Sequence, residues 1–529
     1  MFAQALLIGI YTYIIFIFGL LGLLYKQNIF VITALYIFFV FYFYKKGGKI
    51  TFEVKADRLT GIFLSILVLQ IFVNLVGVLG PELGFDALWY HLTLPKIYLI
   101  NHSIDYIPGG LLYYSAMPKL TEMLYVAGLA FGSEIFTKLI HFSFGILCLI
   151  AIYKISRKFF SSELSLIACV IFYSNLVVGW MSITAYIDLV RTFFEIMALW
   201  GFINWWEKKD MKWLIESAVL LGLAISTKLL AIDSLFIFSI LIIFYFLQKK
   251  GKIKDLLIYL FVFWLIALLI PLPWFVYSYV HTGNPIYPFF SSLYKVQFDL
   301  GLLNPVRFIS DLWILFSQAD DPITPLYIIL LPIVLLHLKK LNPQLKIIAL
   351  YSILSVMVWY LTPRTGGGRF ILPYLPAFSI LSAWVVSKVW TLRVRYVVVS
   401  LVLFFLLFSI VYRAAANFKY IPVIFGQQSK SDFLTDHLNF SYGDFYDTDG
   451  FFEKNIKKTD KVLLYGFHNL YYVNFPFIDS SFVKKGDRFN YIVVQDSIVP
   501  KRFQNWNLIY YNSKTNVKVY SFGGIKWTY

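Results

Sequence analysis

Apolar residues in this chain gather in runs of about twenty, not in the short beats of half-buried helices and strands. A run of that length is what an α-helix needs to cross a hydrocarbon core about 30 Å thick. Runs near 3–25, 28–44, 59–80, 133–153, 163–180, 185–206, 213–227, 229–247, 255–278, 323–338, 345–362, 369–388 and 396–413 predict about thirteen spans. The two shortest of the central runs meet at Lys228. The loops between spans alternate in character. "KKGGKITFEVKADR", "YKISRKFF", "WEKKDMK", "QKKGKIKD", "HLKKLNPQLK" and "KVWTLRVR" together hold roughly twenty Lys or Arg, and the alternate loops about eight over many more residues. The positive-inside rule assigns the first set to the cytoplasm. That places the N-terminus inside and the C-terminus outside. The first run has no basic flank and no small-residue cleavage site, so it is expected to stay as a span.

Two long segments then face outward, 81–132 and 281–322. Both are rich in aromatic residues, Pro and Gly. Within the first, "DALWYHLTLPKIYLI" and "MPKLTEMLYVAGLAFG" read as short helices lying in the membrane interface, where Trp and Tyr are favoured. After about Asn417 the pattern changes. "SKSDFLTDHLN" has a Ser cap and a helical beat, while "KVLLYG", "NYIVVQD", "NLIYY" and "VKVYSF" read as strands between polar turns. The expected fold is a polytopic α-helical membrane protein, residues 1–416, with a small extracytoplasmic α/β domain over 417–529. No internal repeat or low-complexity tract is visible.

Composition narrows the class further. The 529 residues are 59% hydrophobic, 20% aromatic and only 14% charged, with a mean hydropathy of +0.72. Soluble domains carry roughly 25% charged residues, so the chain is an integral membrane protein. In a soluble chain a net charge of +17 would point to nucleic acid. Here the basic residues sit mainly in span-joining loops, and no nucleic-acid partner is expected. Cys148 and Cys169 both fall inside apolar runs, where packing is their expected role.

Ionisable groups near the outer ends of spans are the candidates for chemistry. In "GFDALWYHLTLPKIYL", Asp86 follows the third run directly, with Tyr90 and His91 four and five residues on. Asp is also a favoured helix N-cap, so a capping role stands beside a catalytic one. In "SITAYIDLVRTFF", Asp188 lies near the outer end of a span, where an acid is costly without a partner. Arg191, three residues on, offers a local ion pair as the plain explanation. Lys228 breaks "LGLAISTKLLAI" and can either snorkel to the interface or meet an anionic head group. "TPRTGGGRFILPYLP" sets Arg364 and Arg369 around a glycine run, a pairing of guanidinium and exposed amides that suits phosphate. One acid and several cations on the outer face fit group transfer from a lipid phosphate to a hydroxyl, with a carboxylate as general base. Fixed cations would stabilise the leaving phosphate.

At these residues the chain resembles membrane glycosyltransferases of the GT-C fold, in the bacterial and archaeal branch similar to dolichyl-phosphate-mannose–protein mannosyltransferases. The resemblance rests on "FDALWYHLTLPKIYL", on "AYIDL" in the next outer turn, on "GLAISTKLLAI", on "TGNPIYPFF" and on "GGGRFILPYLPAF", in that order over 60–390. It implies an inverting transfer from a polyprenyl-phosphate sugar to an extracytoplasmic acceptor (protein, glycan or lipid). Asp86 takes the place of the family's catalytic acid, and Lys228 and Arg369 match positions suited to the donor phosphate; Arg364 is added on its own chemistry. Tyr90, His91 and Asp188 are candidates for acceptor contact or site support. The family often has a second acid directly after the first, where this chain has Ala87. No His/Cys cluster or paired outer acids at ligand spacing are present, so neither a metal nor another cofactor is expected.

Two other functions compete. A flippase of lipid-linked sugars would share the spans and outward cations, but transporters commonly show paired repeats and broken midplane helices. A polymerase or ligase of lipid-linked glycans would carry an arginine-rich outer loop, and 281–322 holds only Lys295 and Arg307. The acidic turn "DTDGFFEKN" (Asp447, Asp449, Glu453) lacks the full calcium-loop spacing and reads as solvated.

Overall fold

A computed structural model describes residues 1–46, 58–296, 299–317, 322–362, 367–388, 392–522 and 527–529. Arg364 lies outside the described residues. The chain is a polytopic bundle of α-helices followed by a small sheet. Each apolar run carries a helix, but the runs differ in length. Among the described residues, seven helices are long and apolar enough to cross a membrane, or eight if one bent pair is counted as a span. That is fewer than the thirteen expected from runs alone.

The physical reasons are specific. The run 163–180 is broken at Asn175 into helices Ser162–Tyr173 and Leu176–Met181. The Asn175 amide donates to the carbonyls of Ile171 and Phe172, and its oxygen accepts the N–H of Thr324. It thereby satisfies backbone groups freed by the break. The run 255–278 bends by 59° between Ile253–Leu269 and Leu272–Thr282, at Pro271. Leu326–Leu336 has 11 residues and Leu375–Lys388 has 14, each too short to span alone. Asp188–Lys208 is long but carries five charged residues, and Met211–Thr227 has 17 residues, one short of the 18 counted as a span.

Those last two helices form an antiparallel hairpin through Lys209 and Asp210. The Asp210 carboxylate caps the second helix by accepting the N–H of Lys212. Gly201 lets the helices approach, since a Cβ there would lie 3.1 Å from the Ser217 amide nitrogen. At 1.5 Å per residue the hairpin runs out and back by about 25–30 Å. Lys228 therefore returns to the end where Asp188 began.

Of the two long segments between the runs, 81–132 holds a π-helical turn, Ala87–His91, then helices Thr93–Asn101 and Leu120–Phe131. The second holds the amphipathic helix Pro305–Ser317. The last long helix, Leu392–Asn417, continues through short turns to Ile424, several residues past the expected end of the membrane domain. Beyond it Ser429 caps Lys430–His437, its hydroxyl accepting the N–H of Asp432.

The C-terminal strands are β1 (Val462–Tyr465), β2 (Phe477–Asp479), β3 (Arg488–Phe489), β4 (Tyr491–Gln495), β5 (Asn507–Asn512), β6 (Val517–Ser521) and β7 (Trp527–Thr528). Five make a mixed sheet in the order β2-β1-β4-β6-β5, parallel across β2-β1-β4 and antiparallel beyond. β3 and β7 pair separately. One hydrophobic core runs without a gap from the membrane helices into this sheet, through Phe433, Phe445, Phe467 and Val462.

Candidate active site

Four ionisable groups from four separate segments meet at one point. Arg369 Nη1 lies 2.6 Å from Asp86 Oδ2, and its Nε donates to Asp188 Oδ2 at 2.9 Å. Lys228 Nζ donates to the other Asp188 oxygen at 2.7 Å. The result is a row, Asp86–Arg369–Asp188–Lys228, in which one guanidinium bridges two carboxylates. Its faces are aromatic: the Arg369 guanidinium lies 4.5 Å over the Tyr186 ring, and the Lys228 ammonium 5.1 Å over Phe370.

Local structure explains each position. Lys138 donates to the carbonyls of Gly77 (2.9 Å) and Gly80 (2.8 Å), capping the helix that precedes Asp86. Glu82 then turns the chain. One of its oxygens accepts the N–H groups of Leu83 and Gly84, at 2.9 and 2.6 Å, and the other accepts that of Ala185 at 2.6 Å. A single buried carboxylate thus laces the stretch before Asp86 to the stretch before Asp188. The Asp86 N–H donates to the Tyr186 hydroxyl at 3.1 Å and adds a second tie. On the far side, His141 donates from Nδ1 to the Thr184 carbonyl (2.8 Å) and accepts the Leu189 N–H at Nε2 (3.1 Å). Its neutral ring thereby fixes the start of the Asp188 helix.

Asp86 opens the π-helical turn, yet its carboxylate makes no capping hydrogen bond. It accepts instead from Tyr90, whose hydroxyl is 3.3 Å away. A π-turn tilts one extra residue into the same arc, and such turns recur at functional sites. Burial pushes the Asp86 carboxyl up, but the adjacent Arg369 guanidinium, with His91 and Lys228 beyond, holds it below its ordinary value. Burial lifts the Tyr90 hydroxyl far above its ordinary value, and the Asp86 charge adds to this. Tyr90 therefore acts as a hydrogen-bond donor.

Several sequence expectations change here. Asp188 does not pair with Arg191, which turns to Glu195 (3.3 Å) and Tyr374 (3.2 Å) deeper in the bundle. Lys228 does not snorkel; Asp188 holds it, with 14% of its side chain exposed. His91 turns away from the row, and its Nδ1 lies 2.7 Å from Glu122 Oε1. Sequence reasoning passed over Glu82 and Tyr186. Glu82 had a signal, an acid at the end of a span in "GPELGFD", while Tyr186 looked like any interfacial aromatic.

Asp86, Arg369 and Lys228 line a cavity of about 590 Å³, walled elsewhere by Trp89, Tyr114, Trp180, Phe289 and Tyr294, while Asp188 is buried and not among its lining residues. Apolar walls with a few convergent polar groups are the usual make-up of a ligand site. A second cavity of about 480 Å³ has apolar walls from Pro305–Ser317 and the helices behind it. Ile371, two residues from Arg369, is among its lining residues.

Residues 121–277 match the model of the dolichyl-phosphate-mannose-protein mannosyltransferase family. This stretch carries Asp188 and Lys228 but neither Asp86 nor Arg369. No curated protein matches the chain by sequence. Among solved structures, ArnT from Cupriavidus metallidurans bound to undecaprenyl phosphate is similar, with a TM-score of 0.57 at 12% identity, covering 88% of this chain and 98% of that one. Its apo form gives a TM-score of 0.56 at 13% identity with the same coverage. The chain has the GT-C fold of membrane glycosyltransferases.

Proposed function

We propose that the protein is an integral membrane glycosyltransferase that moves a sugar from a polyprenyl-phosphate donor to an acceptor hydroxyl with inversion. The observation that carries this reading is the row Asp86–Arg369–Asp188–Lys228, which presents Asp86, Arg369 and Lys228 to a ligand-sized cavity with Asp188 buried as the partner of both cations. Two cations are held there by two carboxylates, so an incoming phosphate finds them already in place. Phosphate oxygens take up donors from Arg369 and Lys228, and Arg364 is assigned to the same phosphate on its sequence position. Loosened from Arg369, the Asp86 carboxylate accepts the proton of the acceptor hydroxyl. That oxygen attacks the anomeric carbon from the face opposite the phosphate, and the carbon–phosphate oxygen bond breaks. The departing lipid phosphate carries the negative charge that the two cations stabilise. Tyr90 orients Asp86, and Asp188 orients both cations.

Two further features support the donor class. ArnT, whose fold the chain shares, binds undecaprenyl phosphate. The apolar cavity that takes in Ile371 is suited to the first isoprene units of a lipid whose phosphate sits on Arg369. No cofactor or metal is assigned to the reaction. The 1–416 segment is the transferase domain, and the positive-inside pattern places the site and the 417–529 domain outside the cytoplasm.

The test uses membranes holding the protein, radiolabelled polyprenyl-phosphate sugars and host extract. Wild type is expected to transfer label, and Asp86→Asn to lose about 10²–10⁴-fold of the rate at equal expression, the usual worth of a general base. Equal transfer by both would remove Asp86 from that role. Sugar lipid crossing liposome membranes without transfer would replace the enzyme reading with a flippase. Unchanged donor binding in Lys228→Ala or Arg369→Ala would remove the phosphate role.

A further inference from the structure

Residues 466–474 of the C-terminal segment, "GFHNLYYVN", reach back onto the loop that carries Asp86. The contacts fall on both sides of the acid. The Tyr472 hydroxyl donates to the Glu82 carbonyl at 2.9 Å. The His468 ring stacks on Phe85, with centroids 4.7 Å apart, and leans on Trp89 at 4.2 Å. The Tyr471 N–H donates to the Leu88 carbonyl at 3.1 Å, inside the π-helical turn. From the other direction Lys96 grips the same strip. Its ammonium donates to the carbonyls of Tyr471 (2.7 Å) and Val473 (2.8 Å) and to the Asn474 side chain (2.9 Å). The partners before Asp86 are thus Glu82 and Phe85, and those after it are Leu88, Trp89 and Lys96.

The strip is rigid at its root. It leaves β1 at Gly466, whose φ of +79° suits glycine, and a Cβ there would fall 1.9 Å from the Gln495 carbonyl oxygen. The N–H groups of His468 and Asn469 donate to the Gly443 carbonyl, at 3.2 and 3.0 Å, and Asn469 also binds Asp444. Among these residues only Phe85 and Trp89 line the cavity, and His468 meets both from behind. A strip that supports the wall from outside the cavity sets the geometry of the wall rather than contacting what fills it.

We propose that residues 468–474 are a positioning element for Asp86, holding the π-helical turn in the register that aims the carboxylate at the acceptor. This inference rests on the reading of Asp86 as the base. Displacing a catalytic group by about 1 Å can cost about 10²-fold in rate. Loss of the strip should therefore lower kcat and leave both KM values nearly unmoved.

The experiment uses the full chain with His468→Ala, His468→Phe and Lys96→Met, each with two readouts. In the transfer assay, His468→Ala and Lys96→Met are expected to lose about 10–100-fold in kcat with donor and acceptor KM within about twofold of wild type. His468→Phe should recover most of the rate, because a flat ring still stacks on Phe85 and Trp89. In hydrogen exchange read by mass spectrometry, amides of residues 85–92 should exchange faster in the two damaging variants, with the distant Asp188–Lys208 helix unchanged. A raised acceptor KM at unchanged kcat would overturn the proposal by making the strip a substrate contact. Unchanged exchange at 85–92 would overturn it by showing no mechanical coupling. The exchange readout needs no turnover. Faster exchange in the variants when the wild type transfers no sugar would sink the glycosyltransferase reading and leave the coupling standing, and normal kcat with normal exchange in the variants would do the reverse.

Discussion

At the scale of single residues, the proposed chemistry turns on one guanidinium shared by two carboxylates. Arg369 holds Asp86 below its ordinary carboxyl value against the upward push of burial. A carboxyl with a depressed value is charged until the pH falls through that value, and it loses its function only below it. Wild-type kcat/KM for the donor, which reports the free enzyme, should therefore show no acid limb down to the ordinary aspartate range near 4. In Arg369→Gln burial is left to dominate, so the acid limb of the residual rate should move up, toward neutral pH. A pH–rate profile of the two proteins checks this, and coincident profiles would deny Arg369 that hold on Asp86. Asp86, Asp188, Lys228 and Arg369 were each visible in the sequence as charges at the outer ends of spans, where a charge needs a reason. Their partners were not. Asp188 had Arg191 three residues away, and proximity along the helix favoured that pair. In the folded chain Arg191 is satisfied by Glu195 and Tyr374, and Asp188 by groups 40 and 181 positions away in sequence. Sequence distance carries no information on that choice.

Secondary-structure elements aim these residues. The hairpin of Asp188–Lys208 and Met211–Thr227 brings Asp188 and Lys228 to one end because its two arms are of similar length. Glu82 fixes the approach of the other acid. Three backbone N–H groups converge on its carboxylate, two from its own turn and one from Ala185. Glu82→Gln replaces one acceptor oxygen with an NH₂ group, so a buried amide loses its partner or faces another donor. The expected cost is about 1–3 kcal/mol of stability, read as a lower melting temperature in detergent. Transfer should fall as well, since both acid-bearing stretches loosen together. A melting temperature equal to wild type would mean that the turn holds without Glu82. The helical character of "DALWYH" was legible from its composition. Its π-form was not, because the extra residue in the turn follows from Leu92 bonding back to Ala87 under the constraint of neighbouring segments.

For the whole molecule, the hydrophobic core that joins the bundle to the sheet packs the C-terminal segment against the helices that carry the candidate site. Its side of the membrane is open to direct measurement. Cys148 and Cys169 are both buried, so they form a quiet background for thiol labelling. A membrane-impermeant maleimide applied to intact cells is expected to label Ser441→Cys, at an exposed site in the C-terminal segment. It should label Lys252→Cys, in the basic loop "QKKGKIKD", only after the membrane is broken. The opposite pattern would invert the topology and place the site in the cytoplasm.

The sequence by itself determined that the chain is a helical membrane protein, where its apolar runs begin and end, and which few charged residues the hydrocarbon makes costly. Those are properties of composition and of patterns within about twenty residues, and burial energy acts on them locally. The tertiary structure alone decided which charge meets which. It turned Lys228 toward Asp188, His91 toward Glu122, and a strip from residues 466–474 onto the loop of Asp86. Such pairings depend on the angles at which helices break and return, at Asn175 and Pro271 among others. Asn175 and Pro271 mark where the helices break, but how the broken pieces pack against the rest of the bundle is settled only in the fold.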